Sequence, residues 1–180
     1  MFATVDPVLS ALMSLAIGAV FLAGAADKLR EREVFVGIVQ AYGLLPIPLV
    51  VVFSLLVAVA EFLIGVGLCV PTLREFAAPA GLGLLAVVTA AVMFNLLRGK
   101  TELACGCGGA SADQTLSWTL VIRNLVLAVM LSTVLWPTAA RAFGVIDYVT
   151  IVLGAAMLFG LYAAANQLLA NAPRVASLMF

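Results

Sequence analysis

The sequence predicts an all-α fold, a polytopic membrane bundle of about five transmembrane helices (a four-helix core plus one) with a short interfacial helix. Hydrophobic residues make up 65% of the 180 residues and charged residues only 10%, and the mean hydropathy is +1.24. Water-soluble domains are about 45–50% apolar and about 25% charged, so this composition excludes a soluble fold. The apolar runs lack the two-residue alternation of membrane β-barrels, which favours helices.

Five segments are long and apolar enough to cross a bilayer, since a hydrocarbon core of about 30 Å requires about 20 apolar residues. The predicted spans are approximately 7–26, 47–70, 77–97, 118–136 and 148–169, within a single membrane domain over residues 1–180. The first span has no Lys or Arg before it and is long for a signal peptide, so we expect it to be retained. Residues 34–45 are apolar but too short to span, which predicts an interfacial or re-entrant helix.

Small residues four positions apart occur in the first span (Ser14, Gly18) and in the fifth (Ala156, Gly160, Ala164). This spacing lets helix backbones approach closely in lipid. A partner interface and packing within the monomer are both compatible with it, and we expect packing within the monomer.

The loop charges indicate an orientation in the membrane. With five spans, six Lys and Arg residues lie on the side of the third loop and the C-terminus, and two lie on the other side. The positive-inside rule then places the third loop in the cytoplasm of a multi-pass protein of the cell inner (plasma) membrane. The nine basic residues balance the nine acidic ones, so no nucleic-acid partner is expected, and the absence of His excludes imidazole chemistry.

The third loop contains two cysteines, Cys105 and Cys107, separated by one glycine. A disulfide needs Cα atoms within about 4.4–6.8 Å, which a bent glycine-containing segment can reach. A strained disulfide exchanges readily, and Arg98, Lys100 and the N-terminus of the fourth span near Ser117 would stabilise a thiolate. We interpret the pair as a redox-active dithiol, with these two residues as catalytic.

Two other interpretations of the cysteine pair stay open. The pair could ligate a metal, although a closed zinc site needs four ligands and the chain has no His, so no metal ligands are assigned. The two cysteines could also lie in a glycine turn without any redox role. Cys69 lies at the opposite end of the second span, where a small buried apolar side chain is expected.

Two charges lie within spans, where they are costly and mark functional groups or ion pairs. Glu61 lies near the middle of the second span and Arg123 in the fourth, with predicted depths about 9 Å apart. Long side chains and a water could join them, and Asp27 and Lys28 are alternative partners. The group could act as a proton relay or polar pocket, or as an ion pair that fixes helix order. Two amides are candidates for interhelical hydrogen bonds: Asn95 and Asn124.

Several features follow one another along the chain in a characteristic order: Lys28, the segment Tyr-Gly-Leu-Leu-Pro at 42–46, Glu61, Cys-Gly-Cys at 105–107, and Arg123-Asn124. Together they resemble the MauE family of methylamine-utilisation membrane proteins, within the DoxX-like group. The family pattern usually continues Cys-Gly-Cys-Phe-Gly, whereas this chain has Gly108 in place of the aromatic residue.

The resemblance implies a role beside a thioredoxin-like oxidoreductase in maturing a secreted, disulfide-rich substrate. In the namesake system that substrate is the small subunit of methylamine dehydrogenase. Such a partner is expected on the extracytoplasmic side, whereas the loop charges place the cysteine pair in the cytoplasm. Both placements therefore stay open.

We expect a membrane thiol–disulfide redox protein in which Cys105 and Cys107 exchange disulfides with the thioredoxin-like partner. A membrane quinone is a candidate electron acceptor. An alternative is a non-catalytic accessory subunit of a larger membrane complex, in which the cysteines are dispensable. A third is a small-solute carrier built around Glu61 and Arg123.

Overall fold

The computed structural model describes residues 5–105, 115–139 and 141–178, with side chains as far as residue 171. In this part of the chain there are six α-helices: α1 (Pro7–Arg30), α2 (Arg32–Tyr42), α3 (Ile47–Cys69), α4 (Arg74–Leu97), α5 (Trp118–Ser132) and α6 (Val145–Leu178). Short 3₁₀ turns precede α4 (Pro71–Leu73) and follow α5 (Thr133–Leu135). The predicted all-α class is confirmed.

Five of the helices, all except α2, are long and apolar enough to cross a membrane, which confirms the predicted number of spans. Helix α2 has 11 residues and occupies the position of the predicted interfacial helix. Helix α1 continues to Arg30, four residues beyond the predicted end of its span, and α6 is longer at both ends. The predicted ends marked where the apolar stretch stops, but a helix can continue as polar residues leave the hydrocarbon region.

Local sequence signals explain several helix ends. Asp6 caps α1, accepting a 2.8 Å hydrogen bond from the Val8 N–H, and Pro7 occupies the first helical position. Helix α2 ends at Tyr42 and is followed by Gly43, whose φ of 63° is a left-handed conformation that glycine adopts without strain. Pro46 then precedes α3, so the chain turns sharply from the interfacial helix into the second span.

Helices α1 and α3 cross closely at two glycines. A Cβ atom placed on Gly65 would lie 3.0 Å from the Gly18 carbonyl oxygen, which is tighter than most Cβ contacts in proteins. The hydroxyl of Ser14, one turn earlier on α1, donates a 2.7 Å hydrogen bond to the Leu68 carbonyl. The expectation that Ser14 and Gly18 pack within the monomer is therefore confirmed.

The same expectation was wrong for α6. Ala156, Gly160 and Ala164 are exposed, and a Cβ atom on Gly160 would meet nothing within 4 Å. Helix α6 packs mainly on α1 and buries a different face, which includes Ile151 and Ala155. The small residues lie just beside this face, so they point out of the bundle.

The interior of the bundle contains two buried clusters. One joins α1, α3, α4 and α5 through Ile17, Phe21, Ile64, Leu68, Ala77, Ala78 and Leu131. The other lies at the end where α2 lies, and consists of Tyr42, Val92, Leu96, Cys105, Leu116, Leu120 and Val121. The second cluster holds the start of the cysteine loop against the bundle.

Candidate functional site

Cys105 is fixed at the end of the bundle where α2 lies. It is 4% exposed, and its carbonyl accepts a 3.1 Å hydrogen bond from the Tyr42 hydroxyl of α2. The two sides of the loop are also joined, since the Leu116 N–H donates to the Leu103 carbonyl at 2.9 Å. Cys107 lies outside the described residues. The structure therefore gives a fixed, buried position for the first cysteine of the predicted pair.

The predicted basic residues lie at the same end of the bundle, and both are exposed. The Arg98 guanidinium stacks over the Phe94 ring at 5.0 Å, one turn earlier on the chain. The Lys100 ammonium lies 3.8 Å from the position that a Cβ atom on Gly43 would occupy, at the C-terminus of α2. A cation is favourable there because of the helix dipole. Helix α5 begins after Ser117, as predicted.

Glu61 forms its ion pair with Lys28, the alternative partner named above. The Lys28 ammonium lies 2.8 Å from Glu61 Oε2, and the two side chains are 7% and 13% exposed. Gly24, one turn before Lys28 on α1, leaves room for the pair, because a Cβ atom there would lie 3.3 Å from Glu61 Oε2. The pair thus joins α1 to the middle of α3 inside the bundle.

Arg123 is held by polar groups of α5 and α6. Its guanidinium donates to Asn166 Oδ1 at 2.6 Å and to Asn124 Oδ1 at 3.3 Å, and it lies over the Tyr162 ring at 5.9 Å. Asn166 and Tyr162 were not predicted as part of this group. The signal available was an amide in an otherwise apolar span, which is typical of interhelical hydrogen bonding.

The two predicted amides behave differently. Asn124 donates a 3.2 Å hydrogen bond from α5 to Thr89 of α4, which confirms its interhelical role. The amide of Asn95 instead donates to the Ala91 carbonyl of its own helix at 3.0 Å. Asn124 therefore links the Arg123 group to the centre of the bundle.

Arg123 and the Lys28–Glu61 pair share a cavity, although the pair is made with Lys28 rather than with Arg123. This cavity, which we call the Arg123 cavity, has a volume of about 50 Å³ and is also lined by Asn124 and Tyr162. Because about 10–15 Å³ of such volume can hold one water, there is room for a few water molecules between the charged groups. The three charges thus form one polar centre within the membrane.

A second and larger cavity lies between α2, α3 and α4. Its volume is about 470 Å³, and apolar side chains such as Phe35, Val57 and Phe94 form most of its wall. Lys28, Glu61, Tyr42 and Cys105 also line it. We call it the lipid-facing cavity, because several of its apolar wall residues are exposed on the outer surface of the bundle: Leu44, Phe53, Val87 and Phe94.

The remaining candidate groups lie away from these cavities. Cys69 is at the opposite end of α3 and is partly rather than fully buried, with its sulfur beside Gly18. Among the described residues, no group of three or more His, Cys, Asp or Glu side chains could hold a metal ion. The polar chemistry of the described chain therefore centres on Lys28, Glu61, Cys105 and Arg123.

Comparisons with known proteins identify the family of this chain. The family model described as "Methylamine utilisation protein MauE" matches residues 6–137. MauE of Paracoccus denitrificans is 38% identical over 126 residues, covering 70% of this chain and 68% of that protein. MauE of Paracoccus versutus is 35% identical over 164 residues (91% and 88%), and MauE of Methylophilus methylotrophus is 32% identical over 163 residues (89% and 86%). No solved structure gives a significant match.

Proposed function

The chain belongs to the MauE family, and from this premise we propose that it is a membrane thiol–disulfide redox protein in methylamine utilisation. Cys105 and Cys107 exchange a disulfide with a thioredoxin-like partner and so support the maturation of a secreted or membrane protein. In the exchange, the Cys105–Cys107 disulfide is reduced to two thiols while two thiols of the partner become a disulfide. The reaction takes place at the surface of the inner membrane.

The anchoring of Cys105 carries this proposal. A bond between cysteines two positions apart closes too small a loop to stabilise the fold by restricting the unfolded chain. Yet the Tyr42 hydroxyl donates a hydrogen bond to the Cys105 backbone, and a backbone hydrogen bond between Leu103 and Leu116 closes the loop. These contacts keep the Cys105 sulfur in position, which disulfide exchange requires while the bonding partner of a sulfur changes.

The burial of Cys105 supports different roles for the two sulfurs. At 4% exposure, the Cys105 thiol is closed to a protein partner. We therefore assign the mixed disulfide to Cys107: a partner thiolate attacks the Cys107 sulfur and Cys105 leaves as a thiolate inside the protein. The second thiol of the partner then attacks the partner's own sulfur in the mixed disulfide, which forms the partner's disulfide and releases Cys107. The two protons lost by the partner's thiols are taken up by Cys105 and Cys107. Arg98 and Lys100 supply positive charge at this end of the bundle, which favours thiolates there.

Disulfide transfer to a defined probe tests the proposal. The full-length protein in nanodiscs is oxidised with diamide, freed of oxidant and mixed with reduced thioredoxin, whose oxidation is followed by maleimide gel shift. We expect transfer by the wild type and by the matched control Cys69→Ser, and none by Cys105→Ser or Cys107→Ser. Undiminished transfer by the double variant C105S/C107S would contradict the proposal.

A non-catalytic accessory subunit is the second candidate, and the outward position of Ala156, Gly160 and Ala164 on α6 favours it. Small residues at this spacing allow another membrane helix to pack closely. Under this candidate, Gly160→Leu abolishes both assembly with a larger complex and methylamine-dependent growth, whereas the cysteine variants still grow. Under the redox proposal, Gly160→Leu supports methylamine-dependent growth and the cysteine variants do not.

A further inference from the structure

We propose that the lipid-facing cavity binds the ring of an isoprenoid quinone, which accepts the electrons of the Cys105–Cys107 dithiol. The proposal rests on the redox function proposed above and adds its electron acceptor. The cavity volume of about 470 Å³ lies in the range of about 300–1,000 Å³ that is typical of small-molecule sites. Like such sites, it has mainly apolar walls with a few polar groups.

The position of the opening selects a ligand that dissolves in the membrane. Phe53, Val87 and Phe94 line the cavity and are 36%, 54% and 47% exposed on the surface of membrane-spanning helices. A ligand therefore enters sideways from the hydrocarbon region rather than from water. An isoprenoid tail can remain among the acyl chains while the ring occupies the cavity.

The polar groups of the wall select a ligand with hydrogen-bond acceptors. The Lys28 ammonium, 2.8 Å from Glu61 and 5.3 Å from the Phe35 ring centre, belongs to the cavity wall. It can donate to a quinone carbonyl and stabilise the negative charge that develops on that oxygen during reduction. A simple acyl chain makes no use of a charged pair, and a cationic ligand would meet a carboxylate already neutralised by Lys28.

Cys105 connects this cavity to the dithiol, because it lines the cavity and precedes Cys107 by two residues. Oxidation of the dithiol breaks two S–H bonds and forms one S–S bond, releasing two electrons and two protons. The quinone takes up both electrons and both protons, forming two O–H bonds and leaving as the quinol. The disulfide is thereby regenerated for transfer to the thioredoxin-like partner.

Filling the cavity from its outer side tests the proposal. Ala90 and Ala86 are both exposed on α4, but only Ala90 lines the cavity, so Ala90→Phe and Ala86→Phe are matched variants. The reduced, full-length protein in quinone-free phosphatidylcholine nanodiscs is mixed with decylubiquinone without oxygen, and quinol formation is followed by ultraviolet absorbance. We expect Ala90→Phe to slow quinol formation by about tenfold or more, because the phenylalanine ring occupies space that the quinone needs, and a tenfold loss corresponds to about 1.4 kcal/mol of binding free energy. Ala86→Phe should leave the rate of quinol formation unchanged. Val87→Phe, at the opening, provides a second blocking variant.

A parallel measurement separates this proposal from the redox function. Each variant is also oxidised with diamide and assayed for disulfide transfer to reduced thioredoxin, which needs no quinone. Unchanged transfer combined with slow quinol formation in Ala90→Phe supports the quinone site. If wild type transfers its disulfide but forms no quinol, or if Ala90→Phe and Ala86→Phe reduce quinone equally fast, the quinone site is refuted and the redox function stands. Loss of both activities in the wild type refutes both proposals.

Discussion

Replacement of Lys28 by Met should strongly destabilise the protein. Lys28 and Glu61 are 7% and 13% exposed and lie 2.8 Å apart, so the substitution leaves a carboxylate in the middle of α3 without its counter-charge. Breaking a buried ion pair by removing one partner costs about 3–5 kcal/mol. We expect Lys28→Met to lower the free energy of unfolding by about this amount.

Substitution of the other partner, Glu61→Met, should lower the free energy of unfolding less than Lys28→Met does. Lys28 lies two residues before the end of α1 at Arg30, so its long side chain can turn toward the membrane surface. In the double variant K28M/E61M no charge is left unpaired, and apolar replacement of a buried pair is often neutral or stabilising. We expect the double variant to be more stable than either single variant.

Equilibrium unfolding of the four proteins in mixed micelles with increasing dodecyl sulfate, followed by circular dichroism, measures these differences. The essential quantity is the coupling energy of the double-mutant cycle. If the cost of K28M/E61M equals the sum of the single costs, then Lys28 and Glu61 do not act as a pair and the reasoning is refuted.

Two further substitutions test the packing and the anchoring of the cysteine loop. Gly65→Leu should destabilise the protein by about 1–3 kcal/mol, because the new side chain has no space against α1. In the same unfolding assay, the control Gly160→Leu, on open surface, should change the free energy of unfolding by less than about 0.5 kcal/mol. Equal effects of the two substitutions would contradict the close crossing of α1 and α3. Tyr42→Phe removes the hydrogen bond to the Cys105 carbonyl, so it should cost about 0.5–1.5 kcal/mol and speed alkylation of Cys105 in a chain with that single cysteine. Unchanged alkylation would show that Tyr42 does not hold the loop.

The sequence was sufficient for the number of spans and for the interfacial helix, because both depend on the length of apolar stretches. It was not sufficient for choosing the partner of Glu61. That choice depends on α1 remaining helical through Lys28, which aligns Lys28 with Gly24 one turn earlier and directs it toward α3. Hydropathy ended the first span at residue 26, so Asp27 and Lys28 both stayed open as alternative partners at the end of the helix.

The surroundings of Arg123 were equally beyond the sequence. Asn166 lies in an apolar span, and only the rotation of α6 brings it to 2.6 Å from the guanidinium. The same rotation turned Ala156 and Gly160 outward, against the expectation of internal packing. Hydropathy identifies a helix that is apolar on all sides as a membrane span, but it does not specify which side meets the bundle.

The structural and functional interpretations of the Lys28–Glu61 pair can be separated in the double variant K28M/E61M. The pair lines both the Arg123 cavity and the lipid-facing cavity, so it joins two helices and also supplies charge to a ligand site. Helix packing requires only that no charge be left unpaired, which the two methionines satisfy. Stabilising a reduced quinone oxygen requires the ammonium group itself. The double variant should therefore keep its stability and its disulfide transfer to thioredoxin while losing quinol formation, and retained quinol formation would show that the pair serves packing alone.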